Sequence, residues 1–150
     1  MDSRLAEKEM DLEFLVGLRN EKESVRFSNR GLLSPQTIEN DYFHTPENHA
    51  YVVVEEEKKR IGYLICHAKT ERRYYISVAL IPEMRGKGYG EFMIREAVRL
   101  CIENHGAKEV YTDDVHANNT PSIRSMEKVG FKILSREGPK WEMIYIHDER

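Results

Sequence analysis

Leu80-Ile81-Pro82-Glu83-Met84-Arg85-Gly86-Lys87-Gly88-Tyr89-Gly90 is the stretch on which the reading of this sequence turns. Before it, Tyr74 to Leu80 has the composition of a strand. After it, Met93, Ile94, Ala97, Val98 and Cys101 form one apolar stripe at helical spacing. The order is therefore strand, glycine-rich turn, helix. Backbone amides at a helix start point outward without intrahelical partners. With the positive end of the helix dipole they make an anion site. Glycines let the backbone approach phosphate oxygens closely, and Arg85 and Lys87 add positive charge. A ligand carrying a pyrophosphate fits such a turn. A nucleotide P-loop needs Lys and Ser or Thr around its last glycine, but Gly90 is followed by Glu91. A dinucleotide turn counted from Gly86 needs glycine where Glu91 stands. A plain tight turn is the alternative, and three glycines interleaved with two cations in six residues speak against it.

Working outward, Arg4 to Ala6 reads as a short strand, and a helix opens at Asp11 and ends near Asn20. Ser34 as N-cap and Pro35 at the first helical position start a second helix. Tyr51 to Glu55, Arg60 to His67 and Tyr74 to Leu80 are three strands, with the charged string from Glu55 to Arg60 as a hairpin turn. The helix after the glycines stops at Gly106. Val110 to Val115 is a strand, Asn119-Thr120-Pro121 opens a helix ending at Gly130, and Phe131 to Leu134 and Trp141 to Ile146 close the chain through Gly138-Pro139. The expected order is β α α β β β α β α β β.

Composition excludes several classes. A chain of 150 residues, 40% hydrophobic and 33% charged, is neither a collagen nor a disordered tail, and it reads as one domain over residues 1–150. A net charge of −3 and a pI near 6.1 argue against nucleic acid as the main partner. The longest apolar run, Ala50 to Val54, is far short of the ~20 residues a membrane helix needs. Cys66 and Cys101 fall in apolar segments and read as buried thiols rather than a redox or metal pair. A basic-then-apolar leader is not seen at Met1-Asp2-Ser3-Arg4, and the expected location is cytoplasmic.

The segment from Leu80 to Gly90 resembles the acetyl-CoA-binding motif of the GCN5-related N-acetyltransferases. Asn119-Thr120-Pro121-Ser122-Ile123, followed by Glu127-Lys128-Val129-Gly130-Phe131, resembles the same family's asparagine-to-Gly-Phe block. The likeness spans roughly Tyr51 to Ile146. It implies an α/β fold with a mixed, mostly antiparallel sheet of six to seven strands flanked by about four helices. It also implies acetyl-CoA as cosubstrate, no metal, and a homodimer by analogy alone. Residue by residue, it implies that the backbone of Val78, Ala79 and Leu80 pairs with the pantetheine arm. The amides of Arg85, Gly86, Lys87, Gly88, Tyr89 and Gly90, extended to Glu91, would hold the pyrophosphate. Asn119 would bond the pantetheine or acetyl end, with Ser122 and Lys128 as further contacts. A surface lysine at a helix C-terminus is the alternative for Lys128.

Acetyl transfer to an amine needs a base, because the amine arrives as an ammonium. Asp114 occupies the position where some members of the family place a catalytic glutamate, and His116 would share its face of an extended strand. A capping carboxylate and an exposed loop histidine are the plainer readings. Met126 stands where many members have a tyrosine that protonates the leaving sulfur, which leaves Tyr111, Tyr74 or water. Tyr89 reads as packing. Leu18-Arg19-Asn20 and Val25-Arg26 resemble a block of members that acetylate amino sugars carried on nucleotides, so Arg19, Asn20 and Arg26 are expected at the acceptor. Arginines closing a surface helix are the alternative. The expected activity is N-acetylation of a small-molecule amine, against a protein lysine or N-terminus, or a non-catalytic acyl-CoA-binding module.

Overall fold

A computed structural model describes residues 1–26, 31–54, 59–70, 72–116, 119–137 and 140–147, except the side chains of Glu23, residues 113–116 and Lys140. The elements run β1 (Asp2–Leu5), α1 (Lys8–Arg19), α2 (Lys22–Arg26), α3 (Pro35–Phe43), β2 (Asn48–Val54), β3 (Arg60–Thr70), β4 (Arg73–Leu80), α4 (Tyr89–His105), β5 (Glu109–His116), α5 (Thr120–Val129), β6 (Lys132–Ser135) and β7 (Lys140–Ile146). A single 3₁₀ turn at Pro82–Met84 follows β4. The strands form one sheet in the order β1-β2-β3-β4-β5-β7-β6. Every neighbouring pair is antiparallel except β4 and β5. The expected fold class holds. The addition is α2, a helix of five residues, too short for a periodic pattern to announce it.

Each face of the sheet is covered because β3 is apolar on both. Leu64 and Cys66 join the stripe of α4, Met93, Ile94, Ala97, Val98 and Cys101, together with Ile123 and Met126 of α5. Tyr63 and Ile65 join Leu15 and Leu18 of α1 and Ile38 of α3. Gly62 lets β3 lie tightly against β4, since a Cβ there would sit 2.3 Å from the Ala79 carbonyl oxygen. Both cysteines are free and buried as expected. The Cys101 thiol is pushed up by its contact with Cys66 and by burial, which keeps it neutral. The cap at Ser34 is also as expected, its Oγ accepting from the Thr37 amide at 3.1 Å. No helix among the described residues is long and apolar enough to cross a membrane. The hairpin residues 55–58 and Gly138-Pro139 lie outside the described residues.

A pH response is built into the α4 side. His49 and His105 stack at 4.0 Å between ring centres, and Tyr51 Oη and His105 Nε2 share a hydrogen bond of 2.9 Å. Burial lowers both imidazoles below the ordinary 6.5, and for His105 the neighbouring His49 adds to it. The unfolded chain therefore binds more protons than the folded one below that value, so stability rises with pH there. Thermal unfolding is expected at lower temperature as pH falls from about 6.5 through the depressed folded values. His49→Phe, which keeps a ring on His105 and removes one charge, should flatten that slope between pH 7 and 5. An equal slope in the variant would show that the acid response lies elsewhere.

Candidate active site

The β4–β5 ladder is short. Arg73, Tyr74 and Tyr75 pair with Glu109, Val110 and Tyr111, and there the parallel register ends. The closed end is fastened by the Arg72 carbonyl, which accepts from the amides of Lys108 and Glu109, and by the Arg73–Glu109 ion pair at 3.2 Å. Beyond Tyr75 the two strands diverge, and Ser77 is exposed although β4 lies in the middle of the sheet. On the other side β4 stays paired with β3 as far as Leu80. The Ile81 amide donates to the Ile61 carbonyl across that pair, and strand alternation then turns the backbone of Ile76, Val78 and Leu80 toward the opening. The Ala79 carbonyl is turned to Gly62 instead. Of the three residues expected to present backbone groups, Val78 and Leu80 face the gap and Ala79 does not.

The opening widens into a cleft of about 1100 Å³ that passes from one face of the sheet to the other. On the α4 side it is lined by Ile76, Val78, Leu80, Gly86, Gly88 and Gly90, then by Asn119, Ser122, Ser125 and Met126 of the α5 segment. Gly86 and Gly88 have φ of +75° and +89°, conformations in which a side chain would be strained, and nothing lies within 4 Å of where their Cβ atoms would be. Gly88 is the N-cap of α4 and provides no side-chain cap, so the helix start is left to backbone amides. The bend is therefore open at Gly86 and Gly88 and electropositive through its helix end.

The expected cations take other parts. Arg85 donates Nε to the Leu80 carbonyl at 3.1 Å and Nη2 to Glu21 at 2.6 Å, while its amide goes to Pro82. It lines the cleft but ties the bend to the turn between α1 and α2. Lys87 is exposed on the bend. Glu91 pairs with Arg95 at 2.9 Å, and Tyr89 packs against the core. The Lys128 carbonyl accepts from Arg95 at 3.3 Å, and its side chain is exposed. Lys87, Tyr89, Glu91 and Lys128 are not among the cleft-lining residues.

On the α1–α3 side the walls are Arg19, Arg26, Asp41, Tyr42, Tyr63, His67, Lys69 and Tyr75. Arg19 and Arg26 both line the cleft, and Arg19 Nη1 also holds the Gly31 carbonyl at 3.0 Å. Asn20 does not line the cleft. Its amide brackets the backbone of Leu33, with bonds of 2.7 and 2.8 Å, and so fixes the loop before α3. Burial pushes the Tyr63 phenol up, with Tyr42 adding to it, so Tyr63 stays neutral. Tyr111 donates to Glu109 and is pushed up to about 12, first by that bond and then by burial. Tyr74 stacks on His105 inside the α4 core. Neither tyrosine is among the residues lining the cleft, whereas Tyr75 is. The backbones of Asp114 and His116 belong to β5, but their side chains lie outside the described ones.

An edge of unpaired strand leading to a naked helix start suits a long ligand with an amide-bearing arm and a diphosphate. That is the form of an acyl-CoA. The chain belongs to the acetyltransferase (GNAT) family, whose profile matches residues 15–131. Among curated proteins it is 28% identical over 97 residues to a Bacillus subtilis (strain 168) protein provisionally named as the alanine N-acetyltransferase of ribosomal protein bS18. That match covers 65% of this chain and 59% of the relative. It is 24% identical over 95 residues to an N-alpha-acetyltransferase of Sulfurisphaera tokodaii, covering 55% of this chain and 56% of that one. These matches thus span less than two thirds of the curated relatives' length. Among solved structures, spermidine N-acetyltransferase from Vibrio cholerae in complex with CoA and spermine superposes with a TM-score of 0.81 at 20% identity, over 97% of this chain and 94% of that one. At that identity the likeness speaks for the fold.

Proposed function

We propose that this chain transfers the acetyl group of acetyl-CoA to a primary amine. The observation that carries the reading is the parting of β4 and β5 after Tyr75, directly in front of the bare N-terminus of α4. The arm of CoA would lie along the outward backbone groups of Ile76, Val78 and Leu80 as an added strand. Its diphosphate would sit on the amides from Gly86 to Gly90. Asn119 and Ser122 would bond the arm from the α5 side. Transfer needs a donor for the oxyanion, and the outward amides of β4 supply one. The thiolate is a good leaving group, and Met126 offers it no proton.

For the acceptor, Arg19 and Arg26 on the cleft wall favour a small amine that also carries an anionic group, and an amino sugar linked to a nucleotide has that chemistry. The names of the two curated relatives support a second reading, an α-amino group at a protein N-terminus. Thiol release from acetyl-CoA, measured against amino sugars, nucleotide amino sugars, amino acids, polyamines and N-terminal peptides, separates these. Turnover of an anionic small amine is expected. Turnover confined to peptides would give the second reading, and saturable CoA binding without turnover on any amine would leave a binding module.

A further inference from the structure

One row of residues crosses the sheet directly to the point where it opens. Asn48 of β2 is paired with His67 of β3, His67 with Tyr75 of β4, and Tyr75 with Tyr111 of β5. Residues opposed in this way share a face, with Cβ atoms about 4.5–5.5 Å apart. Tyr75 is the last residue of β4 to be paired with β5, so His67 stands one strand away from the apex of the opening, on its α1–α3 side.

The hydrogen bonds fix the state of the His67 ring. The Asp41 backbone carbonyl can only accept, so the Asn48 atom facing it is the amide nitrogen. Asn48 Oδ1 is thereby turned to His67 Nδ1, and it too can only accept. Nδ1 must therefore carry the hydrogen. In the neutral ring this leaves Nε2 with its lone pair, and Nε2 has no hydrogen-bond partner among the described residues. His67 itself is half-buried and lines the cleft. An imidazole on the wall of an open cleft, held in one tautomer by a bonded neighbour and with its other nitrogen unbonded, has the arrangement of a general base.

We infer that His67 takes the proton from the incoming ammonium, directly or through one water, and that Asn48 positions it. The inference rests on the acetyltransferase reading. His67 Nε2 accepts one proton from the ammonium. The freed nitrogen lone pair forms the C–N bond to the acetyl carbon, and the C–S bond breaks with its electron pair on sulfur. A second proton, lost by the attached nitrogen, neutralises the thiolate as CoA thiol. The imidazolium then returns its proton to solvent. The charged and titratable groups that line the cleft with this ring are Asp41 and Tyr42 from α3, Tyr63 and Lys69 on β3, Tyr75 on β4, Arg19 and Arg26 from α1 and α2, and Arg85 of the bend. Lys69 Nζ lies 4.6 Å from the centre of the Tyr75 ring.

The test compares His67→Gln, Asn48→Ala and the wild type. Glutamine can still donate to Asn48 but cannot take up the proton. For His67→Gln, kcat should fall by about 10²–10⁴-fold and the acidic limb of its pH profile should vanish, with acetyl-CoA affinity unchanged. Asn48→Ala should lower kcat less and leave KM for acetyl-CoA as it was. Nitrogen-15 spectra of the histidine rings, with the His67 signals assigned by their loss in His67→Gln, should show hydrogen on Nδ1 in the wild type. Hydrogen on Nε2, or a variant within about threefold of wild-type kcat with its acidic limb intact, would overturn the assignment. Wild-type turnover tests the acetyltransferase reading; the variant ratio and the ring spectrum test the base.

Discussion

Gly88→Asp is expected to weaken acetyl-CoA binding by a hundredfold or more while leaving the protein folded. The Cβ added there has nothing within 4 Å, so no packing is disturbed. Its φ of +89° is costly for a side chain, but aspartate is among the residues that tolerate the left-handed region best. The new carboxylate would stand at the N-cap of α4, where the account places a diphosphate. Like charges ~5 Å apart repel by about 3 kcal/mol at an effective dielectric of 20, and about 2.8 kcal/mol is already a hundredfold. Gly88→Ala carries at least as much backbone strain without the charge, so it should lose far less if charge governs the bend. The contrast is read by titrating both variants with CoA and following their thermal unfolding. Equal losses in the two would mean that backbone distortion, and not charge, governs the bend.

Asp11→Ala should cost about 3 kcal/mol of stability, the low end of the range for breaking a buried ion pair, because Arg4 and Arg60 are partly exposed and can turn to water. Asp11 is fully buried, and both of its oxygens are used. Arg4 donates to it at 2.7 and 2.9 Å, the Glu7 amide at 2.8 Å and Arg60 at 3.3 Å. Burial alone would raise this carboxyl, but the bonds from Arg4 and Glu7, the charge of Arg4 and the bond from Arg60 outweigh it and hold the group below 3.8. Its contribution is therefore complete above pH 3.8 and is lost as pH falls through the lower folded value. Removing it leaves two arginines without their anion at the joint of β1, α1 and β3. The melting temperature should fall by roughly 10 °C at neutral pH, and less in strong acid, where the wild-type pair is already gone. Because α1 carries Arg19 to the cleft, the variant should also raise KM for the acceptor more than for acetyl-CoA. A melting temperature within about 2 °C of wild type would deny the pair its structural role.

The parts legible in the sequence are those set by neighbours in the chain. Glycines at 86, 88, 106 and 130 adopt a positive φ, two in the bend before α4 and two at helix stops, and the sequence marks all four. The stripe from Met93 to Cys101 and the Ser34 cap are equally local. What escaped was set by register. Nothing near Asn48, His67 or Tyr75 in the chain says that they form one row, because that follows from which residue of β2 meets which residue of β3. A histidine at the end of an alternating strand gave no sign that an asparagine 19 residues earlier would fix its tautomer. The partner of Arg85 was hidden in the same way. Arg85 is drawn to Glu21, 64 positions away, by a bond that only the folded chain can make. Asn20 is expected at the acceptor through the resemblance of Leu18-Arg19-Asn20 to a family block, whereas the folded chain gives both ends of its amide to Leu33.

The most direct measurement is a crystal structure of the protein with CoA bound, supported by a titration that shows saturation. The diphosphate is expected on the backbone amides between Gly86 and Gly90, with the pantetheine arm running along Ile76, Val78 and Leu80 and its sulfur pointing into the gap beyond Tyr75. A saturating ligand seated away from the start of α4, or one that left the outward edge of β4 bare, would contradict the account.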